Sequence, residues 1–136
     1  MLNRLKKAIA EKGCAIGTFL GVSTPSIVEI MGYTGLDFVV IDTEHGPYDA
    51  MPVGDLIRAA DAKGLSPLVR VADVTHKEIQ RAADSGAEGI IIPCLSKIDD
   101  FKKAVDLCKY APPWKQRLHK SPWQRLRKRT VGNGHP

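Results

Sequence analysis

Three side chains that can transfer protons or hold charge, Asp42, Glu44 and His45, follow the apolar run Phe38–Ile41. An uninterrupted apolar run fits a parallel strand that is covered on both faces. Residues just beyond the carboxyl ends of such strands form the ligand sites of α/β folds. The pattern therefore predicts a chemical site at this point. A structural alternative stays open, in which these side chains only solvate a loop and cap a helix.

Arg70 interrupts the apolar run Leu68–Val71 and is the second candidate. A buried guanidinium is unfavourable unless an anion meets it. Arg70 therefore either binds a substrate carboxylate or enolate oxygen, or forms a salt bridge to Asp42 or Glu44. Asp84 lies near the end of a predicted helix, where the helix dipole disfavours an anion. This placement would be explained if Asp84 faced a cation or an imidazolium.

Alternating strands and helices are predicted to position these residues, as in consecutive βα units of a parallel sheet. The predicted strands are Ala15–Leu20, Phe38–Ile41, Leu68–Val71 and Ile90–Ile92. Helix starts are indicated by Thr24-Pro25, by a capping box at Thr75 and Glu78, and by a similar sequence at Ser96 and Asp99. Left-handed C-terminal caps are predicted at Gly13, Gly35, Gly64 and Gly86. The sum is an α/β fold with a leading helix and four βα units.

The last predicted helix carries an apolar stripe at helical spacing, which predicts a buried face formed by Ile98, Phe101, Val105 and Cys108. The three cysteines are odd in number and widely spaced, so we expect reduced packing residues and neither disulfides nor a metal cage: Cys14, Cys94 and Cys108. The N-terminus lacks the features of a secretory signal, and no apolar stretch approaches membrane-spanning length. We therefore expect a cytoplasmic location and no membrane partner.

The net charge of +5 is unevenly distributed over the 136 residues. Residues 1–113 contain 13 Lys/Arg and all 15 Asp/Glu, whereas residues 114–136 contain seven Lys/Arg and no acid. We therefore predict a folded domain at 1–113 and an irregular, disordered basic tail at 114–136. The tail is expected to result from a shift of reading frame. Tryptophan has the single codon TGG, so reading Trp114 and Lys115 one base later gives a glycine codon. The same shift at Trp123 and Gln124 gives glycine again.

Three linked segments, 37–47, 68–71 and 83–93, resemble the HpcH/HpaI family of metal-dependent pyruvate aldolases. These enzymes are also called 4-hydroxy-2-oxoheptanedioate or 2,4-dihydroxyhept-2-ene-1,7-dioate aldolases. The resemblance runs from about Gly13 to Pro112 and implies a (β/α)₈ TIM barrel. Eight units take about 250 residues, so this chain would hold the N-terminal half. The implied reaction is carbon–carbon cleavage of a 4-hydroxy-2-oxo acid into pyruvate and an aldehyde.

The resemblance also implies a role for each candidate residue. It makes His45 the general base, Asp84 the carboxylate that raises its basicity, and Arg70 the group that stabilises the enolate. Asp42 and Glu44 would shape the polar network that binds the 2-oxo acid substrate. The family uses a divalent metal ion, such as Mg²⁺, Mn²⁺ or Co²⁺, bound by a Glu and an Asp on later strands. We expect no metal ligand in this chain, an impaired activity, and a homo-oligomer for the full-length family.

Two functions of other classes stay open. The chain could be a fragment without catalytic activity, forming a structural half-barrel that pairs with another chain through exposed edge strands. The tail could alternatively bind nucleic acid, since Trp114 and Trp123 alternate with basic residues that could contact phosphates while the rings stack on bases. A tail produced by a shifted reading frame would make nucleic-acid binding adventitious.

Overall fold

The computed structural model describes residues 3–46 and 53–109. Helices and strands alternate along them in the following order: α1 (Arg4–Lys12), β1 (Gly17–Leu20), α2 (Pro25–Met31), β2 (Phe38–Asp42), α3 (Val53–Ala62), β3 (Ser66–Arg70), α4 (His76–Ser85), β4 (Gly89–Ile91) and α5 (Ile98–Cys108). The predicted basic tail at 114–136, with both tryptophans, lies outside the described residues. The predicted leading helix and four βα units are confirmed.

The strands form one parallel sheet in the order β1-β2-β3-β4. Parallel strands that follow one another need a crossover, and here each crossover contains a helix. All four carboxyl ends therefore lie along one end of the sheet. The edge strands of the described sheet are β1 and β4.

One face of the sheet packs against the helices and forms the core. Its strand residues alternate along the chain and are at most 2% exposed: Val39, Ile41, Val69 and Val71. Buried residues from α2, α3 and α4 cover them: Val28, Leu56, Ile57 and Ile79. Because successive side chains of a strand point to opposite faces, the other face of the sheet carries Val40, Asp42, Leu68 and Arg70.

The predicted helix boundaries are largely confirmed. Thr24 is the N-cap of α2 with proline at its first position, and the Thr75 hydroxyl accepts a hydrogen bond from Glu78 N at 3.3 Å. The third start is wrong by one residue, because the N-cap of α5 is Lys97 and not Ser96. The four predicted glycines have φ between 77° and 103°, a region that other residues avoid: Gly13, Gly35, Gly64 and Gly86. Gly13 and Gly86 are C-caps as predicted, but the prediction for Gly35 is wrong, because α2 ends earlier with Gly32 as its C-cap.

The prediction that the α5 stripe is buried is wrong. Ile98 is 76% exposed and Phe101 is 59% exposed, whereas the buried residue of the helix is Ala104. Helix α5 packs on α4, and Leu107 contacts the core. Since β4 is an edge strand, no further strand among the described residues lies against the stripe.

The cysteines are free, but the expectation that they pack inside is also wrong, because Cys14, Cys94 and Cys108 are all exposed. Cys14 directly follows the Gly13 cap, and Cys94 lies beyond the end of β4. Neither position belongs to the face of an element that packs against the sheet. Among the described residues, no helix has the length and apolarity needed to cross a bilayer.

Candidate active site

The turn after β2 is organised around the side chain of Asp42. Glu44 N and His45 N donate hydrogen bonds to Asp42 Oδ1 at 3.1 and 3.3 Å, and Gly46 N donates to Asp42 O at 3.0 Å. An aspartate that accepts from the backbone two or three residues ahead stabilises a tight turn. The positions of Glu44 and His45 are therefore fixed by Asp42.

The register between β2 and β3 places Asp42 directly beside Arg70. Arg70 Nε donates to Asp42 Oδ1 at 2.8 Å and Arg70 Nη2 donates to Asp42 Oδ2 at 2.5 Å, so the pair is bidentate. These bonds lower the pKa of Asp42 to about 2 against the opposing effect of burial, and they raise the pKa of Arg70. Both groups are charged at neutral pH. The salt bridge that the sequence left open for Arg70 is therefore present.

The salt bridge leaves one edge of the Arg70 guanidinium unused. A guanidinium has five N–H donors, and Asp42 takes the edge formed by Nε and Nη2. The end-on edge, formed by Nη1 and the second proton of Nη2, makes no hydrogen bond to any described residue. The ring of Phe19 lies below the guanidinium, with its centroid 5.0 Å from Arg70 Cζ, a favourable cation–π distance. Arg70 is thus held in place with an edge that can receive an oxyanion.

Glu44 lies between the guanidinium and the imidazole. Glu44 Oε2 is 3.3 Å from Arg70 Nε, and Glu44 Oε1 is 3.6 Å from His45 Nε2. Glu44 Oε2 is buried but accepts no hydrogen bond from the described residues, since the Arg70 Nε proton is directed at Asp42. An unsatisfied buried acceptor is unfavourable. The His45 side chain is 71% exposed and open to solvent.

Asp84 does not join this group within the chain, which corrects the expectation that it lies beside His45. It is exposed in the last turn of α4, and Glu88 N, just after that helix, donates to Pro67 O near the start of β3. A helix that follows a strand runs back towards the strand's beginning. Asp84 therefore lies near the amino ends of the strands, whereas His45 follows a carboxyl end. Among the residues that the structure describes, the carboxylate next to the imidazole is that of Glu44.

Two residues near the site were missed by the sequence analysis. The Thr43 hydroxyl donates to Arg70 O at 2.6 Å and Thr43 N donates to the same oxygen at 2.9 Å, which ties the turn to β3. Phe19 supports the guanidinium from β1. The period-two alternation of the strands could have placed Phe19 on the same face as Arg70, but the register between strands was needed to bring them together.

A cleft of about 230 Å³ opens near the carboxyl ends, but it lies on the helix-covered face of the sheet. Its lining includes Val69, Val71, Glu78 and Arg81. Val69 and Val71 face the core, whereas Arg70 points to the opposite face. The cleft therefore lies across the sheet from the guanidinium, although Thr43 and Gly46 of the turn after β2 also line it.

The described residues do not fit the divalent metal ion that the family resemblance implies. Among residues 3–46 and 53–109, no three His, Cys, Asp or Glu side chains come together as a possible metal site. Both Asp42 oxygens are engaged by Arg70, and hard cations need several oxygen ligands. We therefore assign no metal ligand and derive no chemical step through a metal.

Comparison with known proteins places the chain in a family. The family model described as HpcH/HpaI aldolase/citrate lyase matches residues 15–121. The chain is 33% identical over 110 residues to a hydroxypyruvate/pyruvate aldolase of Agrobacterium fabrum, covering 81% of this chain and 41% of that protein. It is 29% identical over 104 residues to a 2-dehydro-3,6-dideoxy-6-sulfogluconate aldolase of Pseudomonas putida, covering 76% and 41%.

Solved structures agree with the sequence comparisons. The HpcH/HpaI aldolase from Desulfitobacterium hafniense superposes with a TM-score of 0.75 at 35% identity, over 88% of this chain and 46% of that one. The chain thus spans less than half the length of these relatives, and its four βα units form the N-terminal half of their TIM-barrel fold. On the family match and these similarities, the chain belongs to the HpcH/HpaI aldolase/citrate lyase family.

Proposed function

We propose that this chain carries the proton-transfer and oxyanion-binding part of an aldolase site, a carbon–carbon lyase that cleaves 4-hydroxy-2-oxo acids to pyruvate and an aldehyde. The observation that carries the proposal is the unused end-on edge of Arg70, which Asp42 and Phe19 hold at the carboxyl end of the strands. Barrel enzymes place their catalytic residues at this end. The relatives named above as aldolases support the reaction class.

The chemistry assigns one step to each group. His45 removes the proton of the substrate 4-hydroxyl, since an imidazole can act as a general base. The bond between C3 and C4 then breaks, the aldehyde leaves, and the electron pair forms the enolate of pyruvate. The end-on edge of Arg70 donates to the enolate oxygen, where a fixed cation stabilises developing charge. A proton delivered to C3 completes pyruvate.

Glu44 takes the position beside His45 that the family resemblance implied for Asp84. Its Oε1 lies 3.6 Å from His45 Nε2, so the carboxylate can orient the imidazole towards the substrate. Glu44 also lies 3.3 Å from Arg70 Nε. One carboxylate therefore stands between the base and the oxyanion-binding group.

The test is a pyruvate-release assay on the 136-residue chain, with a 4-hydroxy-2-oxo acid as substrate, Mg²⁺ or Mn²⁺ in the buffer, and lactate dehydrogenase to detect pyruvate. We expect slow release, which His45→Ala lowers by about 10²-fold to 10⁴-fold, the usual contribution of a general base. The matched control is His76→Ala, which removes an exposed imidazole at the start of α4 and should leave the rate unchanged.

Two outcomes would overturn the proposal. If the unsubstituted chain releases no pyruvate above the uncatalysed rate, the chain is a non-catalytic fragment. If His45→Ala and His76→Ala have equal rates, His45 is not the base. Arg70→Lys adds a third readout, because an ammonium keeps the charge but loses the planar edge; its rate should fall while far-ultraviolet circular dichroism stays the same.

A further inference from the structure

The Arg70 guanidinium has two carboxylates within reach, but its Nε has only one proton to donate. Arg70 Nε lies 2.8 Å from Asp42 Oδ1, which accepts that proton, and 3.3 Å from Glu44 Oε2, which does not. Glu44 Oε2 is buried and receives no hydrogen bond from the described residues. Because a buried acceptor without a donor is unfavourable, Glu44 competes with Asp42 for the guanidinium.

A turn of the guanidinium towards Glu44 would rearrange the site. The bidentate pair with Asp42 would open, and the end-on edge of Arg70 would point in a different direction. Glu44 would also be drawn away from the imidazole, since its Oε1 now lies 3.6 Å from His45 Nε2. The observed orientation therefore needs a further contact that favours Asp42 over Glu44.

Phe19 supplies such a contact from a different strand. Phe19 belongs to β1 and Arg70 to β3, and β2 with Asp42 lies between them. The Phe19 ring centroid is 5.0 Å from Arg70 Cζ, within the range of cation–π attraction. Asp42 binds one edge of the guanidinium, whereas the ring lies beneath it. A cation–π contact and an unsatisfied acceptor have free energies of similar size, so the ring can decide which carboxylate Arg70 binds.

We propose that Phe19 is a positioning residue, which keeps Arg70 paired with Asp42 instead of Glu44 and so keeps the end-on edge open for an oxyanion. Phe19 acts through Arg70 and needs no contact with the substrate. The orientation of the guanidinium is a property of the chain itself, whereas its value for catalysis rests on the aldolase function proposed above. Tyrosine at position 19 should preserve the orientation, because it keeps the aromatic ring, and leucine should lose it.

Carbon-13 NMR of the aspartate carboxyl groups in the full chain measures which carboxylate Arg70 binds, and Asp42→Asn assigns the Asp42 signal by removing it. The hydrogen bonds from Arg70 hold the pKa of Asp42 at about 2. Phe19→Leu should raise this pKa towards the usual 3.8, and Phe19→Tyr should leave it low. Phe101→Leu is the matched control, because it makes the same change on α5 at 59% exposure against 54% for Phe19, and it should leave the pKa low.

Removing the competing carboxylate tests the stated cause. In Glu44→Ala, Asp42 is the carboxylate that remains beside Arg70, so adding Phe19→Leu should no longer raise the pKa of Asp42. Comparing the two backgrounds isolates the coupling between Phe19 and Glu44 from the loss of the ring alone. Circular dichroism should show the same fold in every variant, since the Phe19 side chain is half exposed.

The pyruvate-release assay connects the orientation to activity. Phe19→Leu should lower the rate about fivefold, the factor that a cation–π contact of this kind supplies, and Phe19→Tyr should keep the rate. An unchanged pKa of Asp42 in Phe19→Leu, an equal rise in Phe19→Tyr or Phe101→Leu, or the same rise in the Glu44→Ala background would each overturn the proposal. The expected pKa changes without pyruvate release from any variant would support the positioning role and overturn the aldolase function.

Discussion

Each end of the sheet places one arginine between two carboxylates. The two ends differ in whether the carboxylate oxygens accept hydrogen bonds. At the amino end, Arg4 Nε donates to Glu88 Oε1 at 2.7 Å and the Ser66 hydroxyl donates to Glu88 Oε2 at 2.6 Å. At the carboxyl end, no residue in the described part of the chain donates a hydrogen bond to Glu44 Oε2. The two glutamate side chains are nearly equally exposed, at 17% and 18%. Burial alone therefore does not distinguish them.

The difference separates a structural ion pair from one suited to ligands. Arg4 also pairs with Asp61, and Asn3 Nδ2 donates to Glu88 O at 2.8 Å, so the amino-end group fastens α1 to the sheet. Its hydrogen bonds are satisfied within the chain. The carboxyl-end group keeps an unused guanidinium edge and an unsatisfied carboxylate oxygen, which leaves capacity for a substrate. A buried acceptor without a hydrogen bond makes this part of the fold less stable.

The largest expected difference in the free energy of unfolding is between the alanine variants of the two glutamates. Glu88→Ala should lower the free energy of unfolding by about 3 kcal/mol, because it leaves the Arg4 cation and the buried Ser66 hydroxyl without their acceptor. Glu44→Ala should lower it by less than about 1 kcal/mol, because one oxygen of the lost carboxylate is unsatisfied. Urea denaturation of both variants at pH 7 and one protein concentration measures the difference.

Glu88→Gln is the control for volume, since it keeps the shape of the side chain and removes the charge. Its effect should lie between those of the unsubstituted chain and Glu88→Ala. Equal losses of stability for Glu88→Ala and Glu44→Ala would show that the two ends of the sheet do not differ in the way described.

A smaller effect on the free energy of unfolding is expected at low pH, where Asp42 at the carboxyl end is protonated. The pKa of Asp42 is lowered from 3.8 to about 2 in the folded chain, mainly by the hydrogen bonds from Arg70. The unfolded chain therefore takes up this proton first as the pH falls. The stability that the ionised pair contributes, about 2 kcal/mol, is present above pH 3.8 and is lost as the pH falls towards 2.

Asp42→Asn isolates this contribution, because the amide has a similar shape and does not titrate. The difference in unfolding free energy between the unsubstituted chain and Asp42→Asn should shrink by about 2 kcal/mol between pH 5 and pH 2. A difference that is independent of pH would contradict the assignment of the lowered pKa to the Asp42–Arg70 pair.

The smallest expected difference in the free energy of unfolding is between two variants that each lose a hydroxyl group, one at each end of the sheet. Ser66 is fully buried and donates to a carboxylate, so Ser66→Ala should lower the free energy of unfolding by about 1.5 kcal/mol. Thr43→Val should cost less than about 0.5 kcal/mol, because Thr43 N still donates to Arg70 O after the hydroxyl is lost. Thermal denaturation ranks the two variants, and the reverse order would argue against the satisfied network at the amino end.

Much of the fold could be predicted from local signals. The alternation of apolar runs and helical segments gave four βα units because strands and helices have different periods, and β2 was predicted to within one residue of Phe38–Asp42. The C-caps Gly13 and Gly86 were found because the left-handed region excludes most other residues. The exposure of the α5 stripe was not predictable in this way. Its spacing is that of a core helix, but no described strand lies against it.

The candidate site was predictable in part. Asp42, Glu44 and His45 follow one strand directly, and parallel pairing brings the end of the next strand, with Arg70, beside them. The position of Asp84 could have been predicted correctly from the parallel arrangement, because a helix that follows a strand returns towards the strand's start. The catalytic roles of these residues stay predictions until the substitutions are measured.

The sequence by itself determined the βα order, the turn at Asp42 and the family, because each depends on residues close together in the chain or on motifs kept in order. The tertiary structure alone decided which oxygens are satisfied. Arg4 and Glu88 meet across 84 residues, whereas within residues 3–46 and 53–109 Glu44 Oε2 has no hydrogen-bond donor although Arg70 lies 3.3 Å away. Hydrogen bonding depends on distance and direction between elements, and packing sets both.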